Sequence, residues 1–444
     1  MKKRLLSFVT ALVLLVAPFV SKGFAANSID QWAMSDLVDL QSQDFPIDSV
    51  LETIRDNVSA SSLETLKKGV ETKLGFISSK TADAPVPQQD SYTRGEVLNF
   101  IYSMLKGCDY GAEVDFKSDC IEFFASAGVL KGDETGYMQD RICTNQEAFV
   151  FAARSVAYIY NVTDNASEGI MWKVNTGAAE IYLLGTIHVD AGNIYPFDYN
   201  IVNAVSESDE VIFELDFGDF EGQMYYMANI VYTDGTTLKD HIPDELYQKV
   251  AAIYAENGKT EQDFINYRPW VVASELANMA IYSGETDSSN PPMVIDTYIY
   301  SKALAEGKNI GEIEGWKYQC DLLNGMSDEL QIEYLRSGVE GYYSGGDETG
   351  DANATKKMME TWKNGDEQGF NEIYGKDEAL ASGDEFTKLL FVERDAHMTE
   401  YVLDKLTNGG GKTYFIAVGL GHMVGQDGIV SELRERGYTV ERVK

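Results

Sequence analysis

The sequence predicts a protein of mixed helices and strands, of the α/β (α+β) class. Its main domain would hold a mostly parallel central sheet with a large helical insertion, behind a small all-α N-terminal module. Two runs of β-forming apolar residues, at 181–189 and 414–424, each contain a Gly that a His follows three positions later. Buried strands that run into such turns are typical of open parallel sheets. Helical periodicity fills the long stretch between these runs and much of the chain before residue 165.

The chain starts with the pattern of a secretory signal peptide, which we assign to residues 1–25. Basic residues at 2–4 precede an apolar run at 5–20, and a small-residue cleavage site follows at 23–25. The alternative is an uncleaved anchor, but the apolar run is short for a membrane span and contains Pro18. The pattern therefore predicts a secreted or extracytoplasmic protein with no transmembrane helix after cleavage.

The composition is that of a globular protein with a strongly acidic surface. The 444 residues carry a formal net charge of −35 at pH 7, and 44% of them are hydrophobic. Such a charge repels nucleic acid and anionic lipid, so neither is expected as a partner.

Four cysteines stand at Cys108, Cys120, Cys143 and Cys320. Their spacing fits no zinc ribbon, and it leaves open a bridge from Cys120 to Cys108 or Cys143, or a set of free thiols.

The N-terminal part divides into a helical segment with a linker, at 26–90, and a helical module at 91–162. Within the module, TRGEVLNF returns as TNQEAFVF 51 positions later. This repeat resembles the S-layer homology module of bacterial surface proteins, and the resemblance implies contact with a cell-wall polymer. Arg94 matches the basic position of that motif, whereas its counterpart in the second copy is Asn145. The alternative is a helical cap that only packs beside the main domain.

The main domain, assigned to 165–444, combines strand and helix patterns. An opening hairpin leads into a βαβ unit over 183–213, with its crossover helix at 197–207. Helices then follow with proline starts and glycine stops, as in PDELYQKVAAIYAENG. The remaining predicted elements include strands at 309–315, 412–418 and 438–443 and a helix at 428–436.

Three side chains with metal-binding chemistry follow predicted strands. His188 and His422 each stand three residues after the Gly of a strand run, and Glu214 directly follows the strand 210–213. Parallel strands bring their carboxyl ends to one edge of a sheet, so we expect these three side chains to meet there. Two imidazoles and one carboxylate suit Mn²⁺, Co²⁺ or Zn²⁺. For each His taken alone, the alternative is a buried imidazole with satisfied hydrogen bonds.

Nearby residues extend this predicted site. Asp216 would lie on the same side as Glu214 if the strand continued, where it could orient a ligand or act as general base. Gly185 and Gly419 would leave room for the backbone and a substrate to approach the ion.

The stretches IYLLGTIHVDAGNIYP, DEVIFELDF and FIAVGLGHMVGQDGIVSELRERGYTVERV resemble the TraB/GumN family, whose relatives include Tiki-type metalloproteases. The resemblance covers roughly residues 165–444, and it is specific because the paired GxxH motifs fall near the two ends of that range. It implies a metal-dependent hydrolase, and it places Asp296 and either Glu312 or Glu314 near the family's central cleft. The alternative is that these acids are ordinary surface groups.

The family pattern also bears on the helix that contains FVERDAHM. Arg394 and Met398 match it, but Asp395 stands where the family usually has Asn. An Arg that faces the cleft could bind a substrate carboxylate or an oxyanion, since its planar fork suits such groups. The alternative is a surface ion pair with Glu393 or Asp395. We take His397 as an exposed helical residue.

These features predict an exported metal-dependent hydrolase, a peptidase or amidase that acts on a peptide or protein substrate. His188, His422 and Glu214 would hold the metal, with Arg394 and Asp216 as further catalytic residues. Association with the cell wall would come through the N-terminal module. The alternative is a non-catalytic protein at the cell surface that binds and sequesters a peptide or signal. Such a protein could keep the fold and both histidines.

Overall fold

The computed structural model describes residues 29–82, 84–132, 134, 136–188, 193–282, 293–344 and 351–444. The assigned signal peptide and Val189, which ends the first strand run, lie outside these residues.

In the N-terminal region, defined as residues 29–162, the segments with helical periodicity form helices, as predicted. They are α1 Gln31–Ser42, α2 Ala60–Gly75, α3 Arg94–Lys106, α4 Cys120–Ser126 and α5 Asn145–Val162, with 3₁₀ turns at Ile47–Ser49 and Leu51–Thr53.

The C-terminal region, residues 165–444, contains the strands and the other helices of the described chain. The strands are β1 Ile170–Asn175, β2 Glu180–Thr186, β3 Glu210–Phe213, β4 Asn309–Glu312, β5 Thr413–Gly419 and β6 Val440–Val443. The helices are α6 Tyr199–Glu207, α7 Phe220–Asn229, α8 Leu238–His241, α9 Asp244–Glu256, α10 Pro269–Tyr282, α11 Ile295–Ala305, α12 Gly315–Asn324, α13 Asp328–Ser344, α14 Asp351–Lys363, α15 Glu367–Tyr374, α16 Lys376–Ala381, α17 Glu385–Asn408, α18 Leu420–Met423 and α19 Ile429–Glu435, with a 3₁₀ turn at Glu261–Asp263. Within the described ranges, no helix has the length and apolar run needed to span a bilayer.

The sheet has the strand order β4-β3-β5-β2-β1-β6. β5 pairs in parallel with β2 on one side and with β3 on the other, and β3 pairs in parallel with β4. β1 is antiparallel to both of its neighbours, β2 and β6. The prediction of a mostly parallel central sheet is confirmed. The two strands of the predicted βαβ unit, β2 and β3, are not neighbours in the sheet, because β5 lies between them.

The strand that precedes Glu214 stops earlier than one of the predictions requires. β3 ends at Phe213, so it does not continue to Asp216. Asp216 instead opens a turn, in which its Oδ1 atom accepts the backbone N–H of Gly218 at 2.7 Å and its carbonyl oxygen accepts that of Asp219 at 3.1 Å. The condition that would place Asp216 beside Glu214 is therefore not met.

The central strands are buried on both faces. Every residue of β2 and β5 except the first is buried, which is why both read as continuous apolar runs in the sequence. Two hydrophobic clusters of buried residues form, one mainly in each region. Val38 of α1 belongs to the cluster of the C-terminal region, so the first described helix packs on both.

The two copies of the N-terminal repeat start their helices in the same way. Thr93 and Thr144 each form a capping box with the Glu three residues later, in which side chain and backbone groups bond reciprocally. Arg94, at the basic position of the motif, is buried and donates from Nη1 to the carboxylate of Glu147 in the second copy. The guanidinium therefore joins the two copies inside the protein.

The four cysteines all fall within the described residues, and all are free. Cys120, Cys143 and Cys320 are buried, and Cys108 is partly exposed. The bridge that the sequence leaves open at Cys120 is thus not formed. Burial raises the pKa of Cys320 to about 11, so that thiol stays protonated and unreactive at neutral pH.

Gly185 lets β2 pass close to α18, the short helix after β5. A Cβ atom at this position would lie 2.3 Å from Leu420 Cδ1 and 3.0 Å from Leu420 Cα. The carbonyl oxygen of Gly185 also accepts the indole N–H of Trp362 at 2.7 Å in a buried setting. The backbone at Gly185 cannot move away from Leu420 without disturbing this hydrogen bond.

Gly185→Ala is therefore expected to lower the free energy of unfolding by about 1–3 kcal/mol, because the added methyl group overpacks a buried contact. Urea denaturation would measure the loss. Gly75→Ala, at the exposed end of α2, is the matched control, since nothing lies within 4 Å of its added Cβ. The control should change the free energy of unfolding by less than about 1 kcal/mol. Equal losses in the two variants would contradict the close packing at Gly185.

Candidate active site

The ends of three adjacent parallel strands deliver the side chains that the sequence singles out. His188 lies two residues beyond the end of β2, Glu214 directly follows β3, and His422 lies in α18, which begins where β5 ends. In the ladder, Thr186 of β2 pairs with Gly419 of β5. Each of the three residues stands within three positions of the end of its strand, so the three side chains stay at one edge of the sheet.

Gly419 marks the point where the three side chains converge. A Cβ atom at this position would lie 3.0 Å from His188 Nε2, 3.2 Å from Glu214 Oε1 and 3.6 Å from His422 Cδ2. The backbone N–H of Gly419 donates to Glu214 Oε1 at 2.8 Å, and His422 Nε2 lies 3.9 Å from the same oxygen. A larger residue would displace at least one of these groups, so the absence of a side chain keeps the space between them open.

Each imidazole is held by a carboxylate on its Nδ1 atom. His188 Nδ1 lies 2.9 Å from Asp296 Oδ2, and the hydroxyl of Thr186 donates to Asp296 Oδ1 at 2.8 Å. His422 Nδ1 lies 2.6 Å from Asp395 Oδ1. A carboxylate at Nδ1 favours the tautomer with its proton there, which leaves the Nε2 lone pair free. Both rings thus direct an electron-pair donor toward the space beside Glu214.

Asp395 is itself neutralised by a buried lysine. Lys376 Nζ donates to Asp395 Oδ2 at 2.5 Å and to the carbonyl oxygens of Gly421 and Val424 at 2.8 and 3.1 Å. The side chains of Lys376 and Asp395 are each 2% exposed. The lysine therefore fixes the turn that carries His422 as well as its carboxylate partner. In the sequence, Asp395 is a departure from a family pattern and a candidate surface partner of Arg394, and Lys376 was missed because no local pattern singles it out.

Arg394 joins two buried glutamates. Its Nε and Nη2 atoms donate to the two oxygens of Glu314, both at 2.8 Å, and Nη2 also donates to Glu214 Oε2 at 2.8 Å. Gln319 Nε2 adds a bond of 2.9 Å to the same oxygen of Glu214. The sequence favours either a guanidinium open to substrate or a surface pair of Arg394 with Glu393 or Asp395. The structure has neither, because Arg394 is buried and bridges carboxylates of the protein.

The charges at the site shift the pKa values of Glu214 and His188 in opposite directions. Burial favours the neutral form of Glu214, but Arg394, with His422 and His188, outweighs it and lowers the pKa of Glu214 to about 2. Burial also favours neutral His188, but the adjacent Asp296 outweighs it and raises the pKa of His188 above 6.5. Glu214 is therefore ionised at any physiological pH.

Two other predicted acids have partners away from the imidazoles. Asp216 Oδ1 accepts the hydroxyl of Tyr300 at 2.9 Å, and Glu312 Oε2 accepts the backbone N–H of Asp216 at 2.9 Å. His397 is exposed on α17, as expected. Of the two glutamates offered for the cleft, Glu314 reaches the site through Arg394, whereas Glu312 holds the turn at Asp216.

The residue types at the site fit a divalent cation. Two imidazole Nε2 atoms and a carboxylate oxygen are donors that Zn²⁺, Mn²⁺ and Co²⁺ accept, and carboxylates on the distal Nδ1 atoms are typical of metal-binding histidines. Among the described residues, no group of three or more His, Cys, Asp or Glu side chains is close enough to hold an ion as it stands. The bond from Arg394 to Glu214 Oε2 leaves Oε1 as the oxygen that faces His422.

Comparison with known proteins identifies the family. The sequence profile of the TraB/PrgY/gumN family matches residues 170–442, which include both imidazoles, Glu214 and the Arg394-Asp395 pair. The match covers more than half of the chain. The chain therefore belongs to the TraB/PrgY/gumN family.

Its relatives include proteins that are named as metalloproteases. A Metalloprotease TIKI homolog from Amphimedon queenslandica is 23% identical over 64% of this chain and 63% of its own length. Metalloprotease TIKI1 from Danio rerio is 23% identical over 63% and 64%, and Metalloprotease TIKI2 from Xenopus tropicalis is 26% identical over 59% and 57%. The chain thus spans less than two thirds of these relatives. No solved structure gives a significant match.

The ionised state of Glu214 has a consequence for acid stability. In the folded protein its pKa is about 2, whereas an unperturbed Glu has a value of 4.5. The stability from this carboxylate is therefore complete above pH 4.5 and is lost as the pH falls toward 2. As the pH falls from about 5 to about 3, the free energy of unfolding should decrease by about 1–2 kcal/mol less in Glu214→Gln than in the parent. Urea denaturation at each pH measures the difference, and Glu64→Gln, at an exposed position of α2, should follow the parent. Parallel curves for parent and Glu214→Gln would refute this account.

The pairing of Lys376 with Asp395 predicts a coupled effect of two substitutions. Lys376→Met should lower the free energy of unfolding by about 3–5 kcal/mol, because it leaves Asp395 buried without its cation. Adding Asp395→Asn removes the unpaired charge and keeps a polar partner for His422. The double variant should therefore lose clearly less than the sum of the two single losses, as chemical denaturation of all four proteins would determine. Strictly additive losses would mean that the two side chains do not interact.

Proposed function

We propose that this protein is a metal-dependent peptidase or amidase in which His188, His422 and Glu214 hold a divalent cation such as Mn²⁺, Co²⁺ or Zn²⁺. The observation that carries the proposal is the matched pair of imidazoles, each with a carboxylate on Nδ1 and with Nε2 directed toward Glu214. Membership of the TraB/PrgY/gumN family and the names of the relatives support it.

When bound, the cation would lower the pKa of a water molecule and polarise a scissile carbonyl group. Asp296 and Asp395 hold the imidazole protons at Nδ1, so that both Nε2 atoms keep a lone pair that could bind the cation. Arg394 keeps Glu214 ionised and restrains it on the side away from His422. Gly419 places no side chain at the centre of the group, where a Cβ atom would lie 3.0 Å from His188 Nε2 and 3.2 Å from Glu214 Oε1.

The proposal extends to the place of action. Residues 1–25 have the pattern of a signal peptide, which supports an extracytoplasmic enzyme that acts on a peptide or protein. Contact with a cell-wall polymer through residues 91–162 rests on the repeat alone. Because Arg94 is buried against Glu147, such contact would depend on other, exposed side chains.

The first test is the metal content of the purified protein after loading with Mn²⁺, Co²⁺ or Zn²⁺, measured by elemental analysis. About one ion per chain is expected in the parent, and a loss of binding in both His188→Ala and His422→Ala, because each removes one of three donors. His241→Ala is the matched control, since that ring stacks on Tyr232 at 4.0 Å and lies outside the site. Circular dichroism would show that all four proteins are folded.

A peptide library read by mass spectrometry then tests catalysis. The loaded parent and His241→Ala should cleave the same peptides, and the other two variants should cleave none. No metal in the parent under any loading condition would exclude the metal-dependent mechanism. Metal without cleavage, but with peptide binding that survives both His substitutions, would instead support a sequestering protein.

A further inference from the structure

The N-terminal region contacts the C-terminal region along one face of α1. Gln31, Ser35 and Asp39, spaced four residues apart on that helix, all bond to α11 or to the residue after it. Gln31 Nε2 donates to the carbonyl oxygen of Ala305 at 2.7 Å, and Ser35 Oγ donates to Glu306 at 2.8 Å. α1 therefore lies alongside α11 over most of the length of α11.

Asp39 forms the innermost of these contacts. Both of its oxygens accept from Lys302 Nζ at 2.7 Å, and Oδ1 also accepts the hydroxyl of Tyr298 at 2.7 Å. The lysine side chain is 4% exposed, so its charge depends on this carboxylate for compensation. One acid of the N-terminal region thus anchors two residues that lie one turn apart on α11.

The anchored turn is the one that positions His188. Asp296, which bonds His188 Nδ1, lies two residues before Tyr298 in the first turn of α11. The N-cap residue of that helix is Val294, whose side chain makes no capping hydrogen bond. First-turn N–H groups have no partner within a helix, so this end depends on tertiary contacts to stay in place. The bonds from Asp39 supply such contacts.

A second contact reaches the chain on the other side of His188. Lys73 of α2 is buried, and its Nζ atom donates to Asn193 Oδ1 at 2.5 Å. Farther along that segment, the rings of Tyr195 and Phe197 pack against Tyr298, with centroids 5.2 and 4.9 Å apart. The N-terminal region therefore holds the helix that carries Asp296, and it also contacts the segment 193–197 that packs against that helix.

We propose that the N-terminal region is a positioning element of the candidate active site. Asp39 acts as a positioning residue that holds His188 in place through Asp296, and Lys73 supports it by holding the segment 193–197, whose rings pack against Tyr298 of the same helix. The value of this positioning for catalysis rests on the function proposed above, but the mechanical coupling does not. A module that served only to dock the protein elsewhere would not need buried charges aimed at these two segments.

Asp36 provides a matched control on the same helix. It lies one turn before Asp39, but its carboxylate pairs with Arg154 of α5, at 2.7 Å for both bonds, within the N-terminal region. Asp39→Asn and Asp36→Asn each remove one ion-paired charge from α1. Only Asp39→Asn removes a bond to α11.

The experiment compares the two variants in the full-length, metal-free protein by hydrogen exchange and by NMR of the histidine rings. Asp39→Asn should speed exchange in residues 294–299 by about tenfold, because the first turn of α11 opens more often. It should also shift the ring resonances of His188, which His188→Ala identifies among the four histidines of the chain. Asp36→Asn should leave both readouts at the parent values. Identical exchange at 294–299 in the two variants, with His188 unshifted, would overturn the proposal.

Two further measurements separate this proposal from the one before it. If Asp39→Asn unfolds, Tyr298→Phe replaces it, since that change removes one bond to Asp39 and keeps the ring; smaller shifts of the same kind are expected. If the parent binds Co²⁺, Asp39→Asn should weaken binding by about three- to tenfold, less than the loss of a direct partner of His188. If the parent binds no metal, the proposed function fails, and the exchange data still decide the positioning role.

Discussion

The register of β5 between β2 and β3 is the constraint on which the candidate site depends. Thr186 pairs with Gly419, and Phe213 pairs with Ala417, so the three strands stop close to a common line. Residues that follow neighbouring strand ends need only short turns to meet. A slip of one residue in β5 would exchange the two faces of the strand and carry His422 away from Glu214.

A second constraint is the charge carried into this buried edge. Glu214 and Glu314 share one guanidinium, and Asp395 has its own ammonium group from Lys376. An ionised carboxylate is costly to bury without such partners, so the cations are part of the architecture. The same bonds restrict how the side chains move. Arg394 restrains one oxygen of Glu214 and leaves the other toward the imidazoles.

Local patterns in the sequence predict the strands, the main helices and the meeting of His188, Glu214 and His422. Each of these depends on periodicity or on a residue that follows a strand end. The partners of these residues are not predictable in the same way. Lys376 of α16 bonds to Asp395 of α17, and Asp39 of α1 bonds to Lys302, from which it is separated by 263 positions in the sequence. Such pairs depend on how the helices pack, and the spacing of residues within a short stretch does not predict that packing. The condition for Asp216 is not met for a related reason, since β3 pairs with its two neighbours only as far as Phe213 and no local pattern marks that end.

The central position of β5 also affects when the site can form. Ribosomes make the chain from its N-terminus, so β2 and β3 exist long before β5, which begins at Thr413, about 200 residues after β3. Until β5 inserts, β2 and β3 cannot join in one sheet, and His422 has not yet been delivered. Contacts between segments so far apart in sequence form late and slowly. A nascent or truncated chain that stops before β5 therefore carries at most part of the donor set, and the three side chains can meet only after His422 has been synthesised.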